Sequence, residues 1–138
     1  MICDTSGIIS AHIADQPYNE ETLEAMNRAD SLILSPISLS EIDQVVSVRN
    51  GSWASRRIFE ELVEPEYELA SFDESDLALA LGVMTSNEDL NIGLVDASLV
   101  VLAKRYKTNE ILTLDQRHFR AIRGLDGRHF KLLPFDLD

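Results

Sequence analysis

Short apolar runs alternate with longer stretches of helical character along the whole chain. Five of the runs are bounded by turn-forming residues and have the length and side chains of strands, and they cover residues 2–3, 31–34, 67–72, 110–114 and 130–133. The pattern predicts helices at residues 8–14, 20–28, from 38 onward, and at 52–63, 77–84, 94–106 and 116–122, with a loop at 86–91. Asn19 and Asp73 stand where N-caps of two of these helices are expected.

The alternation of strands and helices favours an α/β fold built from βαβ units. A mainly parallel sheet of about five strands would lie at the centre, covered by helices on both faces. No linker, repeat or low-complexity segment divides residues 1–138, which predicts a single domain. In open sheets of this kind, ligands bind beyond the carboxyl ends of the strands.

Four acidic residues occupy positions that such a fold brings toward one edge of the sheet. Asp4 and Asp115 directly follow predicted strands. Glu41 and Asp96 lie near the starts of helices that would begin at the same edge. Because Mg²⁺ and Mn²⁺ prefer oxygen ligands such as carboxylates, the four acids predict a site for one or two of these ions.

Each of the four acids also has a local structural explanation. Asp4 and Asp115 could cap the helices that follow them, and Ser38 with Glu41 has the spacing of a capping box. The helix dipole would stabilise Asp96 in the first turn of its helix. Four independent caps need not meet at one edge of a sheet, however. Clustered carboxylates also repel, by roughly 4 kcal/mol for a pair about 4 Å apart at an effective dielectric near 20, and divalent ions relieve that repulsion.

Hydroxyl side chains lie next to two of the acids. Thr5 and Ser6 follow Asp4, and Thr113 precedes Asp115 by two positions. These hydroxyls could orient the metal ligands. Local hydrogen bonding within a turn or strand is an equally good interpretation.

The helix predicted after Asp115 carries three further candidates. Arg117 and Arg120 are the best candidates for contact with a phosphate, although a surface role is nearly as consistent with their positions. His118 could approach a substrate, but we favour a packed or solvent-facing imidazole.

Trp53 stands beside Arg56 and Arg57 in the helix predicted at residues 52–63. An exposed aromatic side chain with neighbouring arginines can stack an unpaired base. We favour a helix face used for packing or dimerisation.

The net charge of −12, from 12 Lys and Arg against 24 Asp and Glu, argues against indiscriminate binding of nucleic acid. The charge is unevenly distributed, because eight of the 12 cations fall between Lys104 and Lys131. A dense acidic run at residues 60–68 is either a solvated face or a surface for a basic partner. An acidic enzyme can still act on a phosphodiester if bound cations reverse the local charge.

The compartment can also be predicted from composition. Cys3 is the only cysteine, and a buried, unreactive thiol in a reducing cytoplasm is expected. No signal peptide is visible, and the apolar runs are shorter than the roughly 20 residues that a membrane helix needs. We therefore expect a cytoplasmic protein with no membrane segment.

A family resemblance is carried by three segments: residues 3–9, with the sequence Cys-Asp-Thr-Ser-Gly-Ile-Ile, residues 93–103 and residues 113–119. They are similar to the PIN domain, and specifically to the VapC-like toxin ribonucleases of type II toxin–antitoxin modules. The resemblance covers nearly the whole chain and implies a three-layer α/β/α fold. It carries the family's acidic residues onto Asp4, Glu41, Asp96 and Asp115, with the match at Glu41 the weakest.

The resemblance implies an endoribonuclease that hydrolyses RNA phosphodiesters with a metal-activated water. The four acids would hold one or two Mg²⁺ or Mn²⁺ ions. It also implies a homodimer that is silenced by a cognate VapB-like antitoxin, and the acidic surface suits a basic antitoxin tail.

Two other functions are consistent with parts of the sequence. The main alternative is a non-catalytic PIN-like binding module that partners an antitoxin-like protein or RNA, which the loss of one acid would favour; none is lost. A phosphoryl-transfer domain of the receiver or phosphatase kind fits poorly. Such domains need a second acid near the first strand or a late catalytic lysine, and neither is evident.

Overall fold

The structure, a computed structural model, describes residues Met1–Asp138. Its strands are β1 (Ile2–Cys3), β2 (Leu32–Leu34), β3 (Tyr67–Leu69), β4 (Glu110–Leu112) and β5 (Lys131–Leu133). Its helices are α1 (Thr5–His12), α2 (Asn19–Arg28), α3 (Pro36–Asn50), α4 (Ser52–Leu62), α5 (Glu74–Ser86), a 3₁₀ helix (Glu88–Leu90), α6 (Leu94–Arg105) and α7 (Gln116–Ala121). None of the helices is both long and apolar enough to cross a membrane.

The five strands form one sheet in the order β3-β2-β1-β4-β5, and every neighbouring pair is parallel. Successive side chains of a strand point to opposite faces of the sheet. Ile2 and Ile111 accordingly pack in an apolar layer with α5 and α6, whereas Cys3 and Leu112 pack in a second layer with α1 to α4. The predicted three-layer α/β/α fold with a parallel five-stranded sheet is confirmed.

The topology creates a crevice beside the first strand. From β1 the chain adds β2 and β3 on one side, and then returns to place β4 on the other side. Such a reversal of strand order is the usual location of a ligand site in an open α/β sheet. The carboxyl ends of β1 and β4 therefore mark the expected position of a site.

Helix α1 approaches β4 closely at Gly7. A Cβ atom built at Gly7 would lie 2.5 Å from the carbonyl oxygen of Leu112 and 2.8 Å from its Cγ. Since real Cβ atoms do not make such contacts, only glycine lets α1 begin immediately after β1 in this position.

Two predicted helix caps, at Ser38 and Asn19, are wrong. Helix α3 begins at Pro36 and not at Ser38, because the hydroxyl of Ser35 accepts a hydrogen bond from the Ile37 amide and Pro36 occupies the first helical position. Ser38 forms no capping box, and its buried Oγ has no hydrogen-bond partner. Asn19 lies within α2 rather than capping it, since its amide nitrogen donates to carbonyls at the end of α1.

The remaining differences lie at element boundaries. The predicted loop at 86–91 contains the 3₁₀ helix, α5 begins earlier than predicted, and β3 and β4 are shorter. The Asp73 cap is confirmed, as part of a reciprocal capping box with Asp76. Cys3 is fully buried, and burial raises the pKa of its thiol to about 12, so the prediction of an unreactive thiol is consistent with the structure.

Candidate active site

Asp4 lies at the end of β1 and is the most buried of the four acids, with 6 % of its surface exposed. Its Oδ1 accepts a hydrogen bond from the amide of Thr5 at 2.8 Å, so it does cap α1. Its Oδ2 accepts from the hydroxyls of Thr113 at 2.8 Å and Ser6 at 3.2 Å. Asp4 is therefore held by three donors in a fixed orientation.

The end of β4 is tied to the end of β1 through hydroxyl groups. Thr113 donates to Asp4 and accepts from the amide of Asp115 at 3.0 Å. Ser6 Oγ accepts from the Leu114 amide at 2.9 Å. Ser6 and Thr113 thus link the two strand ends that carry Asp4 and Asp115, and their role in orienting metal ligands stays a prediction.

Asp115 and Asp96 converge on one imidazole. Asp115 caps α7, where its Oδ1 accepts from the amide of His118 at 3.2 Å. The Nδ1 atom of His118 lies 3.0 Å from Asp96 Oδ2 and 3.1 Å from Asp115 Oδ2. The ring of His118 therefore packs against two of the four acids, and its approach to a substrate stays a prediction.

Glu41 completes the group from α3. It lines a cavity of about 380 Å³ together with Asp4, Asp96, Asp115 and His118. The four acids thus come from β1, α3, α6 and the end of β4, and they open into one space beside the carboxyl edge of the sheet. The predicted convergence of these positions agrees with the structure.

Burial and mutual repulsion disfavour the charged form of this cluster. Burial raises the pKa of Asp4 to about 7, and the neighbouring charges of Asp96 and Glu41 act in the same direction, while the hydrogen bond from Thr113 opposes them. Burial also raises the pKa of the Asp96 carboxyl, against the opposing effect of His118. A bound cation would relieve this electrostatic cost.

The side chains present fit a divalent metal ion. Asp96, Asp115 and His118 each offer a ligand atom, and these three atoms lie within 4.8 Å of one another. Thr5 lines the same cavity, and its buried Oγ1 has no hydrogen-bond partner in the protein. Carboxylate oxygens suit Mg²⁺ or Mn²⁺, whereas an imidazole nitrogen is a softer ligand that suits transition metals.

The two arginines of α7 differ in whether their guanidinium groups are free to bind a phosphate. Arg120 forms a bidentate salt bridge with Asp136, at 2.7 and 2.8 Å, which occupies the donors that a phosphate would need. Arg117 is exposed and forms no salt bridge with the protein. Contact with RNA remains a prediction for both, with better support for Arg117.

Sequence reasoning gave too little weight to His118 and did not single out Arg49. His118 stands three residues after a helix-capping acid, a spacing that places its ring near the capped end. Arg49 follows Glu41 by eight residues on the same helix and lines the same cavity. Both residues thus stand at helical spacings that place them on the same side as Asp115 and Glu41.

The sequence pattern of a known family, the PIN domain, matches residues 1–125. The chain belongs to the PIN domain family. Ribonuclease VapC26 of Mycobacterium tuberculosis (strain ATCC 25618 / H37Rv) is 38 % identical to it over 135 residues, which cover 97 % of this chain and 100 % of that protein. The resemblance to VapC-like PIN domains is confirmed.

Solved structures share the fold at low sequence identity. Mycobacterium tuberculosis VapC20, described as a sarcin-ricin loop cleaving toxin, has a TM-score of 0.77 at 13 % identity, covering 84 % of this chain and 90 % of that one. VapBC2 from Rickettsia felis, bound to a DNA fragment from the promoter, has a TM-score of 0.65 at 16 % identity, covering 95 % of both chains. FitAcB from Neisseria gonorrhoeae has a TM-score of 0.58 at 20 % identity, covering 83 % of this chain and 86 % of that one.

Proposed function

We propose that this protein is a divalent-metal-dependent endoribonuclease and the toxin of a toxin–antitoxin pair. The observation that carries the proposal is the convergence of four acids from four separate elements on one cavity. The relationship to a protein named as a ribonuclease supports RNA as the substrate. One or two Mg²⁺ or Mn²⁺ ions are the proposed cofactors.

Asp4, Glu41, Asp96 and Asp115 are proposed to hold the metal. A divalent ion held there would lower the pKa of a bound water so that it could serve as the nucleophile, and would neutralise charge on the phosphoryl oxygens. The chain's own contribution is to fix these carboxylates. Thr113 and Ser6 lock Asp4 in one orientation through hydrogen bonds, an arrangement that typically strengthens metal binding.

His118 is proposed to balance charge at the same position. When protonated, it neutralises part of the charge shared by Asp96 and Asp115, both within 3.1 Å of its Nδ1 atom. A divalent ion would compete with that proton, so metal binding and protonation of this cluster oppose one another.

The test is cleavage of total cellular RNA by the purified protein in Mn²⁺ or Mg²⁺, beside EDTA and an Asp4→Asn variant. Discrete fragments that disappear in both controls are expected. Identical fragments in all lanes would show a contaminating nuclease. A folded protein that gives no fragments under any condition would favour the alternative of a non-catalytic module that binds RNA or an antitoxin.

A basic antitoxin segment is the proposed protein partner. A groove of about 590 Å³ is lined in part by the apolar side chains of Leu23 and Met26. Its lining also includes the acidic residues Asp30, Glu64 and Glu66. Such a groove suits an amphipathic segment that carries lysine or arginine, and the relationship to VapC proteins supports an antitoxin as its source.

A homodimer in the cytoplasm remains a prediction. Leu77, Leu79 and Leu81 of α5 are 49–61 % exposed, and several exposed leucines on one element are typical of an interface. This helix is therefore the proposed contact between copies.

A further inference from the structure

Exposed cationic and aromatic side chains occupy the corner between α3 and α4, beside the candidate active site. Glu41, Val45 and Arg49 line the active-site cavity from α3, and their spacing of four residues places them on one helix face. Gly51 then turns the chain into α4, whose first turn carries Trp53. We call Arg49, Trp53, Arg56 and Arg57 the α3–α4 corner.

The corner lies beside the active-site cavity. A second cavity of about 320 Å³ is lined by Asn50 and Trp53 and, from the chain just after α1, by Ala14. The active-site cavity is lined by Arg49 and Gln16 from the same two segments. The two cavities are therefore bordered by neighbouring residues of the same two segments.

Trp53 is not used for packing within the chain. It is 68 % exposed, and its ring contacts the guanidinium of Arg57, whose central carbon lies 5.7 Å from the ring centroid. An open aromatic face with an adjacent arginine is the arrangement that stacks unpaired bases in proteins that bind single strands.

The corner also offers positive charge in an otherwise acidic molecule. Arg49 and Arg56 form no salt bridge, whereas Arg57 pairs with Glu60. Along α4 the two arginines precede Glu60 and Glu61, and Glu61 also lines the cavity beside Trp53. The four acids repel the phosphates of RNA, whereas the arginines of the corner attract them.

We propose that the α3–α4 corner binds the single-stranded RNA segment that flanks the scissile phosphodiester. One unpaired base stacks on Trp53, and Arg49 holds a phosphate at the rim of the cavity. The inference rests on the proposed function and deepens it, because it assigns the contacts that position the substrate and selects unpaired over duplex RNA.

Fluorescence of Trp53 provides the first test. It is the only tryptophan in the chain, so the emission of the protein reports on this side chain. The wild-type protein, kept in EDTA to prevent turnover, is titrated with a single-stranded RNA oligonucleotide and with the same sequence as a duplex. We expect saturable quenching by the single strand and much weaker quenching by the duplex.

Variants separate stacking from phosphate contact. Trp53→Leu and Arg49→Gln are each expected to weaken binding of a fluorescently labelled single strand by about tenfold or more. Arg49→Gln also makes the negative slope of log affinity against log salt concentration shallower by about 0.7, the value for one lost phosphate contact on a single strand. Arg123→Gln, which removes an exposed cation from a different cavity, leaves affinity nearly unchanged. Mn²⁺ affinity is the same for Trp53→Leu and wild type.

The outcomes distinguish this inference from the proposed function. Quenching by RNA in a protein that never cleaves it would support the corner and contradict the enzyme. Cleavage of RNA together with wild-type affinity in both variants would overturn the corner alone. Emission that changes with protein concentration in the absence of RNA would make the corner an interface between copies of the chain, and would also overturn the inference.

Discussion

At the scale of single residues, Asp4 carries the largest electrostatic cost in the site. It is 6 % exposed and is held by three hydrogen bonds. These bonds fix its orientation, yet its pKa remains raised to about 7, chiefly by burial. A carboxyl that is costly to ionise in the empty site is a strong ligand for a cation, because the cation removes that cost.

This raised pKa predicts how the stability of the metal-free protein depends on pH. Between 3.8 and about 7, the Asp4 carboxyl is ionised in the unfolded chain but protonated in the folded protein. The unfolded state then binds fewer protons, so the free energy of unfolding falls as pH rises through this range. At about 1.4 kcal/mol per pH unit, the contribution is on the order of 4 kcal/mol.

Urea unfolding in EDTA at several pH values measures this dependence. Asp4→Asn is expected to flatten the profile between pH 4 and 7 relative to wild type, because the titrating group is gone. Parallel profiles for the two proteins would show that the Asp4 pKa is not raised. Added Mn²⁺ should restore stability to the wild type at pH 7 and much less to the variant.

Removal of the Thr113 hydroxyl provides a second test at the scale of single residues. Thr113→Val removes its hydrogen bonds to Asp4 and from the Asp115 amide, and an unsatisfied buried group costs about 1–3 kcal/mol. The matched control is Thr85→Val, since that exposed hydroxyl bonds only to a carbonyl of its own helix. Equal, small losses of unfolding free energy in both variants would contradict the structural role of Thr113.

At the scale of elements, the position of α1 against β4 decides whether Asp4 and Asp115 can meet. Gly7 allows that approach, since a Cβ there would lie 2.5 Å from the carbonyl oxygen of Leu112. The neighbouring strand ends then share the hydrogen bonds of Ser6 and Thr113. The active-site geometry thus depends on one tight contact between a helix and a strand.

Alanine substitutions at two glycines test this dependence. Gly7→Ala is expected to lower the free energy of unfolding by about 1–3 kcal/mol or more, because of overpacking. Gly82→Ala, within α5 and with no atom within 4 Å of the added Cβ, should raise it by roughly 0.5–1 kcal/mol. Chemical denaturation compares both with wild type. An unchanged free energy of unfolding in Gly7→Ala would show that α1 and β4 are not in such close contact at this position.

The elements also show what sequence could and could not predict. Alternating apolar runs and turn residues were sufficient for the five strands and the helices between them, since these depend on local pattern. The start of α3 was misplaced because Ser35 and Ser38 are equally good caps by sequence. The choice between them depends on tertiary contacts, including the 2.8 Å hydrogen bond of Ser35 to Ser98.

The convergence of the acids was more predictable from sequence than the contacts that other side chains make around them. Asp4 and Asp115 follow neighbouring parallel strands, so topology alone brings them together. The contact of His118 with Asp96 could not be predicted from local pattern, because it joins α7 to α6 across 22 positions of the chain. The pairing of Arg120 with Asp136 likewise depends on how the segment after β5 folds back, which no local pattern indicates.

At the scale of the whole molecule, charge and apolar surface are separated into distinct regions. The acidic groove lies between α2 and the end of α4, Arg49 of the α3–α4 corner lines the active-site cavity, and exposed leucines occupy α5. This separation would allow a molecule with a net charge of −12 to bind RNA, a basic segment and another copy at different surfaces.

The exposed leucines of α5 predict a homodimer. Light scattering during size-exclusion chromatography should show a dimer of wild type, and Leu81→Lys should shift it toward monomer, because a charge in an apolar interface is costly. Val63→Lys changes a comparably exposed apolar residue on another element and should leave the dimer intact. A wild-type protein that is monomeric at every concentration would remove α5 as an interface.

The central claim is that the four acids act as one unit in cleaving RNA, and single-turnover cleavage by single and double variants tests it most directly. Asp4→Asn and Asp96→Asn should each reduce the rate in Mn²⁺ by roughly 100-fold or more. The double variant should be little worse than the poorer single one, since groups that act together lose their function together. Asp89→Asn, an exposed acid outside the cavity, should cleave like wild type. Undiminished cleavage by either single variant, or losses that simply multiply in the double variant, would contradict the account.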